Sequence, residues 1–474
     1  MIKEVDEVFE SIPAISNEDK VEELLGKELS SFKQKIIVLD DDPTGVQTVH
    51  DVSVYTDWSE EAIRQGFSES NKMFFILTNS RSFTVKETKQ VHQEIATRIC
   101  KLSQETDKKF VIISRSDSTL RGHYPLETET MANVLKDKLG LQIDGEVIMP
   151  FFKEGGRFTI DNVHYVQVGD KLVPAGETEF AKDKTFGYQQ SGLTQWVEEK
   201  TNGKYLAENV VTISLEDLRK LNIDKIVGQL LEVEDFNKVV VNAVDYFDVK
   251  VFVIALMRAF AKGKYFIFRS AAALTKVMGG VTDRPLLTKK ELVDENDING
   301  GLIIVGSHVK KTTAQLDKLK TLENLAFIEF NVASTLNSNE LAKEKERVYK
   351  LVNTKVAAGQ TVVVYTSRKV IDVQGDKEKS LLLSVGVSDA LTSIVKQLQV
   401  KPRFILAKGG ITSSDVGVKG LGVKRALVAG QVRPGIPVWY TNEEAKFARL
   451  PYIIFPGNVG TVDDLHDIVE MLTL

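Results

Sequence analysis

Three consecutive aspartates, Asp40-Asp41-Asp42, end a short apolar run and lead into Pro43-Thr44-Gly45. Carboxylates this close repel one another, so such a turn is costly unless a cation or ligand sits against it. The group suits three tasks: accepting a proton from a hydroxyl, ligating Mg2+, or holding substrate hydroxyls. The plainer alternative is a solvated acidic turn in which one Asp caps a helix and Pro-Thr-Gly supplies the turn. If one of the three is a base, Asp42, next to the turn, is our first choice, with Asp41 beside it.

A second polar group runs from Ser114 to His123 and contains Ser116, Asp117, Ser118 and Arg121. Arginine forks bind carboxylates and phosphates bidentately, and Ser and Thr donors complete an anion cradle. Asn79-Ser80-Arg81 ends another apolar run and adds a further guanidinium. Lys153-Glu154-Gly155-Gly156-Arg157 is similar, with glycines that let backbone approach a ligand closely. A structural Arg–Asp network and an ordinary turn are the bland readings of these groups. In the second half, Gly306-Ser307-His308, Lys408-Gly409-Gly410-Ile411-Thr412-Ser413 and Phe455-Pro456-Gly457-Asn458-Val459-Gly460 each follow an apolar run. Singly each is a turn; together they favour phosphate cradling by backbone N–H groups. No Walker A, G-x-G-x-x-G, H-E-x-x-H or G-x-S-x-G pattern is present.

The elements that must position these residues are uniformly apolar strands alternating with amphipathic stretches such as 87–105. That alternation predicts α/β architecture with parallel sheets covered on both faces. Ligands then bind outside the carboxyl ends of the strands, where the polar groups fall. The expected fold is two domains, each a mostly parallel sheet flanked by helices, with the active site in the cleft between them. The predicted boundaries are a helical extension over 1–33, capped at Ser16 or Asn17, a first domain over 34–270, a linker region over 271–300 and a second domain over 301–474. Residues 158–210 read as an insertion or irregular lid, and the apolar run 251–268 as part of one helical stretch.

The 474 residues are 43% hydrophobic and 27% charged, ample for a buried core. A net charge of −5 argues against general nucleic-acid binding. Arg258, Lys262 and Lys264 interrupt the longest apolar run, so no membrane span is expected. The single cysteine, Cys100, permits neither an internal disulfide nor a cysteine zinc site. With no apolar signal segment near the start, a cytoplasmic location is expected.

Taken in order, these motifs resemble the four-carbon acid sugar kinase family, long known as a domain of unknown function. The resemblance runs from about residue 35 to the C-terminus. It rests on D-D-x-T-G at Asp41–Gly45, D-S-T-L-R-G at Asp117–Gly122 and G-R at Gly156-Arg157, then on G-S at Gly306-Ser307, G-G-x-T at Gly409–Thr412, P-G at Pro434-Gly435 and G-N-x-G at Gly457–Gly460. It departs at Ile411, where the family usually has an acid, at Phe455-Pro456, often Lys-Ser, and at Pro43 with the segment after it. The resemblance implies ATP-dependent phosphorylation of a hydroxyl on a tetronate such as threonate, erythronate or an oxo-tetronate, with Mg2+ on the phosphates. It further implies that Arg81, Ser116, Asp117, Ser118, Arg121, Gly156 and Arg157 bind the sugar acid. Gly306, Ser307, Gly409, Gly410, Thr412, Gly435, Gly457, Asn458 and Gly460 would bind the nucleotide. Expected partners are a small sugar acid and ATP, with neither nucleic acid nor membrane; a homodimer is left open. The competing readings are a kinase of this fold acting on another small acid or polyol, and a non-catalytic nucleotide- or metabolite-binding protein.

Overall fold

A computed structural model of the protein describes residues 2–306, 309–368, 377–457 and 459–473. The chain divides into two compact units, Met1–Asp283 and Arg284–Leu474.

The first unit contains twelve strands among its described residues: β1 (Lys3–Glu4), β2 (Lys35–Asp40), β3 (Ser53–Tyr55), β4 (Met73–Leu77), β5 (Phe110–Arg115), β6 (Gly145–Met149), β7 (Arg157–Ile160), β8 (Val163–Val168), β9 (Lys171–Pro174), β10 (Val211–Ile213), β11 (Asn237–Val241) and β12 (Phe266–Ser270). Eight of them form a parallel sheet in the order β10-β11-β6-β12-β5-β2-β4-β3. Strands buried on both faces read as near-continuous apolar runs. Ile36, Ile37, Val38 and Leu39 of β2 are accordingly all buried. The chain leaves β2 toward β3 and β4 on one flank and then takes up β5 on the other, so the order switches at β2.

The helix Val85–Thr106 starts in a capping box, with Thr84 and Glu87 each bonding the other's backbone N–H. It turns Ile95, Ala96, Ile99 and Cys100 into the core that also holds Ile37, Phe74, Ile76 and Ile112. Burying each such large side chain contributes roughly 1.5–3 kcal/mol.

Three expectations change here. The stretch 158–210 is not irregular. β7, β8 and β9 form an antiparallel sheet completed by β1, followed by the helix Leu193–Lys200. Asp161 and Asn162 join β7 to β8, both at positive φ as a two-residue hairpin favours. The strands are short and their burial does not alternate strictly, so period-2 patterning hides them. The apolar run 251–268 is split between the helix Tyr246–Ala261 and β12, and Gly263, at φ 91°, lies in the break. The N-terminal segment includes the strand β1 besides the helices Val5–Ser11 and Glu18–Ser31, and Asn17 precedes the second helix without a side-chain cap bond.

The second unit contains β13 (Leu302–Val305), β14 (Leu325–Phe330), β15 (Thr361–Thr366), β16 (Ile405–Lys408), β17 (Arg425–Arg433), β18 (Ile436–Thr441) and β19 (Pro451–Phe455). Their order is β17-β18-β19-β16-β13-β15-β14. The last five in that order are parallel, while β17 and β18 form an antiparallel hairpin through Pro434-Gly435. Gly435 stands at φ 77°, where proline followed by glycine suits the turn. Both units are thus α/β, with mostly parallel main sheets. No described helix is long and apolar enough to cross a membrane.

Candidate functional site

In the first unit the register brings the polar strand ends together. Asp40 pairs with Leu77 on one side and with Arg115 on the other, and Arg115 pairs with Ser270. Past these ends, Thr78 N–H and Asn79 N–H donate to the Asp40 carbonyl, and Asp41 N–H to that of Arg115. The residues that follow β2, β4 and β5 therefore share one corner at the switch point, where parallel sheets place ligands.

Guanidinium groups thread the acids. Arg81 reaches Asp42 with Nη2 to Oδ2 at 2.6 Å, Asp41 with Nε to Oδ2 at 3.1 Å and Asp117 with Nη1 to Oδ1 at 3.5 Å. Arg115 Nη1 lies 3.6 Å from Asp40 Oδ1 and 3.7 Å from Asp41 Oδ1. Arg121 donates from Nε to Asp117 Oδ2 at 2.8 Å, and its Nη1 lies 3.9 Å from Asp183. Thr119 also donates its hydroxyl to Asp117.

The environment separates the three aspartates. Asp42 is the most open, and Thr44 donates to its Oδ1 from both N–H, at 2.8 Å, and hydroxyl, at 2.5 Å. Burial opposes its ionisation, but Arg81 and the Thr44 bonds outweigh it and hold the carboxyl below its usual range. Burial drives Asp40 well above that range despite Arg115. Asp41 is 3% exposed, and neither of its oxygens accepts a hydrogen bond from a described residue. Burial pushes it up to about 7; Arg81 and Arg115 pull the other way, and Glu127 and Asp42 add to the rise. Ionisation is thus favoured at Asp42, opposed at Asp40 and balanced near pH 7 at Asp41. Asp117 is held low by Arg121, Arg81 and its hydrogen bonds, which together overcome its burial.

The turn after Asp42 is tight. A Cβ on Gly45 would lie 1.9 Å from Asp40 Oδ2. Gly45→Ala is expected to cost about 1–3 kcal/mol through overpacking, seen as a lower Tm in thermal unfolding. An unchanged Tm would show that the turn can yield.

Among the other expected sugar-acid residues, Ser116 bonds Ser114 at 3.1 Å, and the Ser118 carbonyl accepts from His164 Nε2 at 2.7 Å. Burial lowers His164 to about 4, which keeps the ring neutral; with Nε2 protonated, Nδ1 accepts from the Thr159 hydroxyl. Gly156 sits at φ 69° and directly precedes β7. Arg157 follows it, packs its guanidinium 5.7 Å from the Phe180 ring and has a buried Nε with no acceptor. Among the described residues it forms no ion pair. Arg121 lies on the same ring at 5.1 Å, joining Arg157 to the Asp117 group.

In the second unit, Gly306, Gly409 and Gly457 follow the adjacent ends of β13, β16 and β19. The β18–β19 register puts Pro434-Gly435 at the same edge. Gly409 stands at φ 124° and Gly460 at φ 83°, conformations that favour glycine. A Cβ on Gly306 would lie 2.1 Å from Thr412 Oγ1, whereas Gly410 and Gly457 face open space, as backbone that meets a ligand does. Ser307 and Asn458, with His308, lie outside the described residues. Exposed Ile411 occupies this turn.

Sequence reasoning quoted Arg115 and Lys408 within their motifs but gave neither a role, and it left out Asp183. Arg115 and Lys408 each end an apolar strand, and that lone terminal charge was the available signal. Asp183 comes from the loop after the small sheet, and nothing local marks it.

Comparison with known proteins matches residues 36–278 to a sugar-binding N-terminal domain and residues 302–465 to a nucleotide-binding C-terminal domain. No curated protein matches the chain. Among solved structures, the chain is similar to the Haemophilus influenzae protein HI1011, of the DUF1537 family, at 19% identity and TM-score 0.60, covering 92% of this chain and 100% of that one. It is also similar to a Salmonella typhimurium LT2 protein provisionally described as a tRNA synthase, at 14% identity and TM-score 0.65, covering 92% and 98%. At these identities the likeness is one of fold.

Proposed function

The chain belongs to the four-carbon acid sugar kinase family, and from that membership we propose that it transfers the γ-phosphoryl group of ATP to a hydroxyl of a four-carbon sugar acid of the threonate, erythronate or oxo-tetronate type. The observation that carries this reading is Asp41, a buried carboxyl with no hydrogen-bond donor among the described residues, poised near pH 7 between the Arg81 and Arg115 guanidinium groups. A general base works best with a pKa near the working pH. Asp41 takes the proton of the acceptor hydroxyl as its oxygen bonds the γ-phosphorus, and the bond to the bridging oxygen of ADP breaks. Arg157 pairs with the acid's carboxylate. Asp42, Asp117, Ser116 and Ser118 hold hydroxyls; Arg81 and Arg121 keep the acids in place.

The glycine turns of the second unit cradle the nucleotide phosphates. Mg2+ enters as part of MgATP and neutralises phosphate charge. Asp40, Asp41, Asp42 and Asp117 each face a guanidinium, which competes with a cation for them. Dependence on ATP suits the cytoplasm, as does Cys100, buried and unpaired.

The test is MgATP-dependent ADP release with tetronates beside three-, five- and six-carbon acids and neutral polyols. Tetronate-dependent turnover is expected; a better substrate of another length would move the proposal to that acid. Because the base must be deprotonated and its pKa is raised to about 7, kcat/KM should climb as pH rises through about 7 and then level off. A rate already flat from pH 5 would exclude Asp41 as the base.

A further inference from the structure

Lys408 ends β16, the strand between β13 and β19, and is paired there with Val305 and Phe455. Its backbone thus lies between the strand ends that lead into the Gly306 and Gly457 turns, and its own next residue is Gly409. The side chain is fully buried. Nζ donates to the carbonyl oxygens of Pro456 at 2.7 Å and Gly457 at 3.3 Å, and lies 3.8 Å from the centre of the Phe455 ring. An ammonium has three donors, and two are used here. Among the described residues it has no carboxylate partner. The charged groups facing it are Lys311, which repels it, and Asp464, which attracts it more weakly. Burial, with Lys311, lowers it to about 7.

A buried cation costs free energy unless an anion compensates it, and two carbonyl dipoles do not supply the missing charge. The open backbone at Gly410 and Gly457, beside the end of the strand that carries Lys408, suits an anion with several oxygens. Resting on the nucleotide reading above, we infer that Lys408 binds the terminal phosphates of the nucleotide with its remaining donor while its other two hold the Pro456-Gly457 carbonyls. Lysine serves phosphate as a compact point charge. Phosphate arrival then favours the protonated ammonium, so binding takes up a proton.

Calorimetric titration of wild type and Lys408→Met with MgADP and with adenosine, at pH 7.5 in two buffers of different ionisation enthalpy, tests this. In wild type, MgADP binding should take up a fraction of a proton and adenosine binding none. In the variant, MgADP affinity should fall about 10- to 100-fold, as for a lost charge-assisted bond, with adenosine affinity unchanged and the uptake gone. Equal losses for MgADP and adenosine, or undiminished MgADP binding, would overturn the inference. If Lys408→Met does not fold, the wild-type comparison decides alone: no uptake specific to MgADP overturns it. A wild type that binds neither ligand refutes the nucleotide reading, a result distinct from all of these.

Discussion

Asp41→Asn is expected to lower kcat by about 10²- to 10⁴-fold, the range for loss of a general base, while leaving nucleotide affinity nearly unchanged. Asparagine keeps the volume but cannot take a proton. The fold should survive, because burial already disfavours the Asp41 charge and the amide removes a desolvation cost rather than adding one. Asp42→Asn provides the contrast. Its carboxylate bonds Thr44 twice and Arg81 once, so its loss should disturb the turn and raise KM more than it lowers kcat. Initial rates of ADP release for both variants, with a thermal melt of each, check the pair. Full activity in Asp41→Asn would end its assignment as the base, and a greater kcat loss in Asp42→Asn would transfer the role to Asp42.

Arg157→Leu is expected to raise KM for the sugar acid about 10- to 100-fold with a smaller change in kcat. The argument is one of availability. Arg81 and Arg121 are each engaged by two or more acids. Arg157 is buried enough that desolvation lowers its pKa, its Nε has no acceptor, and Asp117 acts on it only from a distance. A guanidinium so placed gains most from an incoming carboxylate, and a hydrogen bond to a charged group is worth about 1.5–3 kcal/mol. Leucine preserves packing on Phe180, so stability should change little. A neutral polyol of the same length should not distinguish the variant from wild type. Equal losses for acid and polyol would show that Arg157 supports the site without reading the carboxylate. Arg157→Lys should recover only part of the affinity, because a point charge does not reproduce the planar fork.

The apolar runs closed by polar residues determined much of this protein by themselves. A strand buried on both faces carries a polar side chain cheaply only at its ends unless a partner lies beside it, as Lys238 and Glu146 do, so Asp40–Asp42, Arg81, Asp117 and the three glycine turns fell where strands end. Their order along the chain also carried the family likeness. What the sequence left open was the partner of each charge. Three adjacent aspartates are indistinguishable by type; their proton affinities diverged only when burial raised Asp40 and Asp41 while Arg81, some forty residues on, and Thr44 held Asp42 low. Four arginines near the acids are likewise equivalent until the fold saturates Arg81 and Arg121 and leaves Arg157, carried by a small antiparallel sheet, with no ion pair among the described residues. Lys408 read as one more residue before a glycine turn until the neighbouring strands buried it. Local sequence decides which residues end a strand, because burial along a strand is a local pattern. Proton affinity and free valence depend on which distant groups lie within a few ångströms and on how much water is excluded, and only the tertiary structure decides those.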